Sequence, residues 1–311
     1  MKYFLKLLLL SSFAATLSSC ANDVSKEKID ISGKNLIIFI GDGMGQEHVK
    51  AGSLLYGDAF SFANWDKVLV NTNSIDSSGK PRGTTDSAAG GTALATGHLT
   101  TNGTIGLDAE GNVVENIMEY AKKLGKSTGI ITTDSCTQAT PSAFSAHVDQ
   151  RGKGTDIIEA QVNSSIDLFI TEDNSFSRSY EEKFSQNYTF TTDAKNLNSY
   201  KESDKLFALA NFSEYGGDDK LVDLVDFGID FLEKNDNGYV LMIEQGYIDH
   251  NCHDNNFEGL AYALGSMAET VNMITNKVGE DTKMIITADH ETGGLHVSDK
   301  VNYGNTYKNV N

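Results

Sequence analysis

Apolar residues along this chain fall into two kinds of segment. Unbroken runs read Leu36-Ile37-Ile38-Phe39-Ile40, Gly129-Ile130-Ile131, Tyr239-Val240-Leu241-Met242-Ile243 and Met284-Ile285-Ile286. They are short, β-branched-rich and lack alternation, so they predict strands buried on both faces, as in a parallel sheet. The other kind recurs at helical intervals. Val114, Ile117, Met118, Ala121 and Leu124 share one helical face, and Gly125 ends that run. Leu221, Leu224, Val225, Gly228, Phe231 and Leu232 mark a second amphipathic helix, closed by Asn235-Asp236-Asn237-Gly238. Leu260, Leu264, Met267, Val271, Ile274 and Val278 mark a third. Small residues from Thr85 to Ala95 predict another helix, opened by a Thr-Asp pair. Alternating strands and helices predict an α/β fold in three layers: a mostly parallel central sheet with helices on both faces. The stretch from Asn174 to Glu214 is polar and weakly periodic. It reads as surface connection, with a short strand at Tyr188 to Thr191.

In open α/β sheets, ligands gather outside the carboxyl ends of the strands. That makes the residues after each run the ones to inspect. Asp42 follows the first run, within Gly41-Asp42-Gly43-Met44-Gly45. Thr132 and Thr133 follow the second. Glu244 follows the third, with Asp249 and His253 just beyond, and Asp289-His290 follows the fourth. Asp249 and His253 share a face if their segment is helical. Mixed nitrogen and oxygen donors suit a divalent cation such as zinc, and Asp42 could bridge two ions because a carboxylate has two oxygens. Ser87 stands where the helix dipole and free backbone N–H groups would favour an alkoxide or a phosphate. The plainer readings remain open at this point: an N-capping Asp86-Ser87 pair, and a polar loop around Asp249 and His253.

Charge and length narrow the class. The 311 residues carry a formal net charge of −18, which argues against non-specific nucleic-acid binding, since that needs a basic face. An anionic small substrate is still compatible, because a bound cation sets the local sign. Gln46 stands where the last glycine of a dinucleotide fingerprint belongs, so that motif fails. At the N-terminus, Lys2 and Lys6 precede a largely apolar run from Leu7 to Leu17. It is shorter than the roughly 20 residues a membrane span needs. Leu17-Ser18-Ser19-Cys20 resembles the bacterial lipobox. It predicts a signal peptide over 1–19, a lipidated Cys20, a tether over 20–34, a folded domain over 35–311 and a membrane-anchored place in the cell envelope. Cys136 and Cys252 could pair in such an oxidising compartment.

Taken together, Gly41-Asp42-Gly43-Met44-Gly45, Asp86-Ser87-Ala88-Ala89-Gly90, Ala139-Thr140-Pro141 with His147 and Arg151, Glu244 with Asp249 and His253, and Thr287-Ala288-Asp289-His290 resemble the alkaline phosphatase family. The resemblance covers nearly the whole chain after the signal segment. It implies hydrolysis of phosphate monoesters at a site with two zinc ions and one magnesium. Asp42 would bridge the second zinc and the magnesium, and Ser87 would be the nucleophile and touch that zinc. Asp289 and His290 would complete the second zinc, Asp249 and His253 would hold the first, and Thr140 and Glu244 the magnesium. Arg151 would grip two phosphate oxygens. The family also implies small phosphate esters as substrates and a homodimer. A sulfatase reading fails, because Cys136-Thr137-Gln138-Ala139-Thr140 lacks that motif's Pro/Ala and Arg positions.

Two departures stand out. Gln138 occupies a place where relatives often carry Asp or His beside the magnesium. A further family histidine, well downstream of Asp289-His290, has no counterpart. His296 is the only later histidine, and it lies too near and in the wrong motif. The resemblance then implies a C-terminally shortened chain. The alternative is a non-catalytic phosphate- or metal-binding lipoprotein descended from such an enzyme.

Overall fold

A computed structural model describes residues 35–298 of the chain. The expected signal segment, Cys20 and the tether lie outside the described residues. The strands are β1 (Asn35–Gly41), β2 (Ser74–Ile75), β3 (Pro81–Arg82), β4 (Ser127–Thr132), β5 (Leu168–Glu172), β6 (Thr189–Thr191), β7 (Leu206–Ala210), β8 (Tyr239–Gln245) and β9 (Thr282–Thr287). The helices are α1 (Gln46–Tyr56), α2 (Ser87–Thr96), α3 (Ile117–Lys123), α4 (Ala139–Ala143), α5 (Gly154–Val162), α6 (Ser175–Arg178), α7 (Glu181–Phe184), α8 (Leu221–Leu232), α9 (Tyr247–His253) and α10 (Phe257–Lys277).

Seven strands form a parallel sheet in the order β6-β7-β5-β4-β8-β1-β9, while β2 and β3 make a small antiparallel ribbon. The register levels the strand ends. Ile40 pairs with Glu244 on one side and Thr287 on the other, and Thr132 also pairs with Glu244. The segments leaving β1, β4, β8 and β9 therefore emerge side by side on one rim. Alternate residues of each strand point to opposite faces. Ile37, Phe39, Ile131, Leu241 and Ile243 pack with Leu224, Val225 and Phe231 of α8 and Leu264, Met267 and Val271 of α10. The other face carries α3 and α4 and an aromatic group in which Phe184 stacks on Phe207 at 3.8 Å between centroids. The expected three-layer α/β fold is the one observed. No helix of the described residues is long and apolar enough to cross a membrane.

The structure corrects two expectations and answers one open question. The segment from Asn174 to Glu214 is not surface connection throughout, because β7 lies inside the central sheet and is buried along its whole length. Burying Leu206, Phe207 and Leu209 contributes about 1.5–3 kcal/mol each, which outweighs the weak strand preference of Ala208 and Ala210. Val114 is outside its predicted helix. Asn116 caps α3, accepting from the N–H groups of Met118 and Glu119, while Glu119 accepts from the Asn116 N–H. Cys136 and Cys252 are buried and unpaired. Cys136 lies 3.6 Å from the Ser177 hydroxyl and Cys252 3.0 Å from a His48 nitrogen, so each thiol packs in its own surroundings.

Candidate active site

The sharp turn after β1 puts Asp42 on the sheet rim. Gly43 there has φ +67, and a Cβ on it would lie 2.7 Å from both Asp249 Oδ1 and Thr292 Oγ1. Only glycine fits so close a crossing of the three ligand-bearing segments. Asp289 leaves β9 next to it and is almost fully buried. Its Oδ1 accepts the N–H groups of Gly43 (3.1 Å) and His290 (3.0 Å), and its Oδ2 accepts from the Thr140 hydroxyl at 3.5 Å. Glu244, at the end of β8, is wholly buried and accepts from the Thr132 hydroxyl. Asp249 and His253 do share a face of α9, with His253 Nε2 3.4 Å from Asp249 Oδ2. Asp249 is buried, while the His253 side chain is exposed at the solvent edge.

Ser87 opens α2 behind its N-cap, Asp86. The Asp86 carboxylate accepts the N–H groups of Ala89 and Gly103, both at 3.0 Å, and lies 3.3 Å from Arg151 Nη1. One side chain thus closes the helix start and aims the guanidinium. Arg151 borders an open cleft of about 430 Å³ shared with Thr137, Gln138 and Thr155. Small residues along α2 allow close approach: a Cβ on Gly90 would sit 2.5 Å from the Asp289 carbonyl oxygen.

His290 links these parts. Its Nε2 lies 3.0 Å from Ser87 Oγ and 3.4 Å from Asp42 Oδ1. Its Nδ1 lies 3.0 Å from Thr292 Oγ1, whose own hydroxyl hydrogen goes to Asp249 Oδ1. The Thr292 oxygen then accepts from Nδ1–H, and Nε2 is the ring nitrogen turned toward the carboxylates. Asp42, Asp249 and His290 each offer a donor atom within 4.8 Å of one another.

The electrostatics match. Burial, then Asp289, Glu244, Asp249 and Asp134, push the Asp42 carboxyl well above its usual range. Burial and Asp134 do the same to Glu244. Asp42 Oδ1 and Glu244 Oε1 are buried without a hydrogen-bond partner. Leaving such a group unsatisfied costs about 1–3 kcal/mol, more for a charge. A divalent cation would relieve both the orphaned oxygens and the crowding, so this donor set fits one.

Asp42, Ser87, Thr140, Glu244, Asp289, His290 and Asp249 lie together on this rim. His253 borders the group and Arg151 reaches it through Asp86. His296 instead pairs with Glu47 at 4.0 Å and stays outside the group. Three residues were not anticipated. Thr292 ties two ligand segments together, and Asp134 Oδ2 accepts from His250 Nε2 at 2.8 Å, holding that imidazole up at about 9. Both members of that pair line a cleft of about 330 Å³ with Gln138, Glu172 and Tyr247. Their signal in the sequence was position: Asp134 follows Thr133, and His250 follows Asp249.

The alkaline phosphatase family profile matches residues 33–173 and 177–310. The chain is 30% identical to alkaline phosphatase 4 of Bacillus subtilis, over 89% of this chain and 65% of that protein. It thus spans less than two thirds of that relative's length. Its structure superposes on a cold-active alkaline phosphatase from a psychrophilic Shewanella species with a TM-score of 0.74 and 29% identity, covering 84% of this chain and 69% of the other. A TAB5 alkaline phosphatase variant with Mg bound in its M3 site gives a TM-score of 0.73 and 25% identity, covering 85% and 79%. Matched by the family profile over most of its length, the chain belongs to the alkaline phosphatase family.

Proposed function

We propose that this protein hydrolyses phosphate monoesters, with Ser87 as nucleophile, at a centre that holds two zinc ions and one magnesium. The observation that carries the reading is the Ser87 hydroxyl at a helix N-terminus, 3.0 Å from His290 Nε2 and beside orphaned carboxylate oxygens. Asp42, Asp289, His290 and Ser87 would hold one zinc, Asp249 and His253 the other, and Asp42, Thr140 and Glu244 the magnesium. A TAB5 alkaline phosphatase variant with Mg bound in its M3 site supports a magnesium in the centre. Bound there, the cations would supply Lewis-acid polarisation of the phosphoryl group and lower the serine pKa.

The protein's own groups do the rest. Ser87 Oγ forms the bond to phosphorus as the ester oxygen leaves in line, and water later cleaves the phosphoserine, releasing phosphate. Arg151, steadied by Asp86, offers a planar fork to two phosphoryl oxygens. The N-terminal N–H groups of α2 favour the negative charge at Ser87. The test is hydrolysis of an aryl phosphate with and without zinc and magnesium, together with capture of the phosphoserine by acid quench. Turnover that survives Ser87→Ala would rule out this mechanism.

We also propose that the protein is tethered in the cell envelope through Cys20. Lys2, Lys6 and the short apolar run before Cys20 support it. Fatty-acid labelling that persists in Cys20→Ser would remove the anchor.

A further inference from the structure

His48 lies on α1, is completely buried and belongs to no part of the chemistry described above. Its two ring nitrogens make different bonds. Nδ1 accepts the Gly45 N–H at 3.0 Å, and Nε2 lies 3.0 Å from Cys252 Sγ. A nitrogen that accepts from a backbone N–H carries no proton, so the neutral ring must bear its hydrogen on Nε2 and donate it to the sulfur. Burial disfavours the charged ring, in keeping with a neutral imidazole.

What the two bonds join makes His48 more than a packed core histidine. Gly45 ends the turn that presents Asp42. Cys252 lies one helical turn after Asp249 on α9 and next to His253. The backbone at Gly293, just past Thr292, packs against the same cysteine: a Cβ there would lie 3.1 Å from Cys252 Cβ. The imidazole is thus a rigid spacer behind three segments that reach the proposed cation centre. Groups that orient metal ligands from behind typically cost about 10–100-fold in metal affinity or activity when they are removed.

We propose that His48 is a positioning residue for that centre: with one nitrogen on Gly45 and the other on Cys252, it sets the distance between the Asp42 turn and the helix bearing Asp249 and His253. The proposal rests on the cation reading given above. It makes the His48–Cys252 pair a single device, whose two halves cannot act independently.

The experiment is zinc affinity of the full chain by chelator competition, alongside melting of the chelated proteins. His48→Ala and Cys252→Ala should each weaken zinc about 10–100-fold, the range found when supporting hydrogen bonds behind metal ligands are removed. The double variant should be no worse than the weaker single one. His48→Gln, whose amide reaches Cys252, should recover most of the affinity. His48→Asn, which can still accept from Gly45 but falls short of the sulfur, should not. Unchanged affinity in His48→Ala, additive losses in the double variant, or a glutamine no better than asparagine would each overturn the proposal. If His48→Ala does not fold, the glutamine and asparagine variants decide. Wild-type protein that binds no zinc would overturn the cation reading and this proposal together. Wild-type binding that is lost in Asp249→Ala but kept in His48→Ala would overturn this proposal alone.

Discussion

Ser87 Oγ lies 3.0 Å from Nε2 of His290, although 203 positions separate the two residues. The contact joins the start of α2 to the segment after β9 and puts a hydroxyl against an imidazole nitrogen. Ser87→Ala removes only an oxygen from a buried helix start. It is expected to lower phosphate-ester turnover by about 10³-fold or more while leaving the fold intact, because a nucleophile acts as part of a unit. Steady-state kinetics with a thermal melt checks both halves of that statement.

Thr292 should matter for the cations without touching substrate. Thr292→Val keeps the shape but removes the hydroxyl that accepts from His290 Nδ1 and donates to Asp249. Zinc affinity is expected to fall about 10–100-fold, as for other supporting hydrogen bonds. Thr292→Ser should retain it. Equal affinity in the valine and serine variants would contradict the tautomer assigned to His290.

Gly90 is required by distance rather than by backbone angle. A Cβ there would meet the Asp289 carbonyl oxygen at 2.5 Å, so Gly90→Ala must push α2 away from β9. Overpacking of this kind costs about 1–3 kcal/mol. Gly91→Ala is the comparison, since its Cβ would meet the Ala143 methyl at 3.2 Å and backbone atoms no closer than 3.4 Å. Denaturant melts should rank Gly90→Ala as clearly the less stable.

Chelated protein should lose stability as pH rises. Burial, then Asp134 and Asp289, push the Glu244 carboxyl up to about 8, and burial with the other carboxylates raises Asp42 as well. A carboxyl with a raised folded-state pKa binds its proton more tightly folded than unfolded. Its contribution is complete below the ordinary value of 4.5 and lost as pH passes through about 8. Zinc and magnesium should offset that fall by taking the proton's place. A chelated protein whose melting temperature does not drop across this window would show that the carboxylates are not crowded as described.

Much of this arrangement was legible along the chain. Unbroken apolar runs announce strands buried on both faces, and the runs ending at Ile40, Ile131, Ile243 and Ile286 became four adjacent strands. The long stripes from Leu221 and Leu260 became α8 and α10, because a helical face of that length has few other ways to leave water. Leu206–Ala210 was not legible: a five-residue apolar run within a polar stretch carries no periodicity, and only burial between β5 and β6 makes it a strand. Asp42, Asp289 and His290 stood out because they directly follow apolar runs at strand ends, Asp249 by its spacing to His253, and Ser87 as a serine at a helix start.

Local spacing and side-chain chemistry alone mark the four ligand-bearing strands, the two long helices and the ligand-type residues that follow the strands. Which of those residues share hydrogens is settled only by the folded arrangement. The proton on His290 Nδ1, the Asp134–His250 pair and the His48–Cys252 tie depend on donor and acceptor directions between segments distant in the chain. No local pattern records such directions, because they exist only once the parallel register has brought the strand ends level.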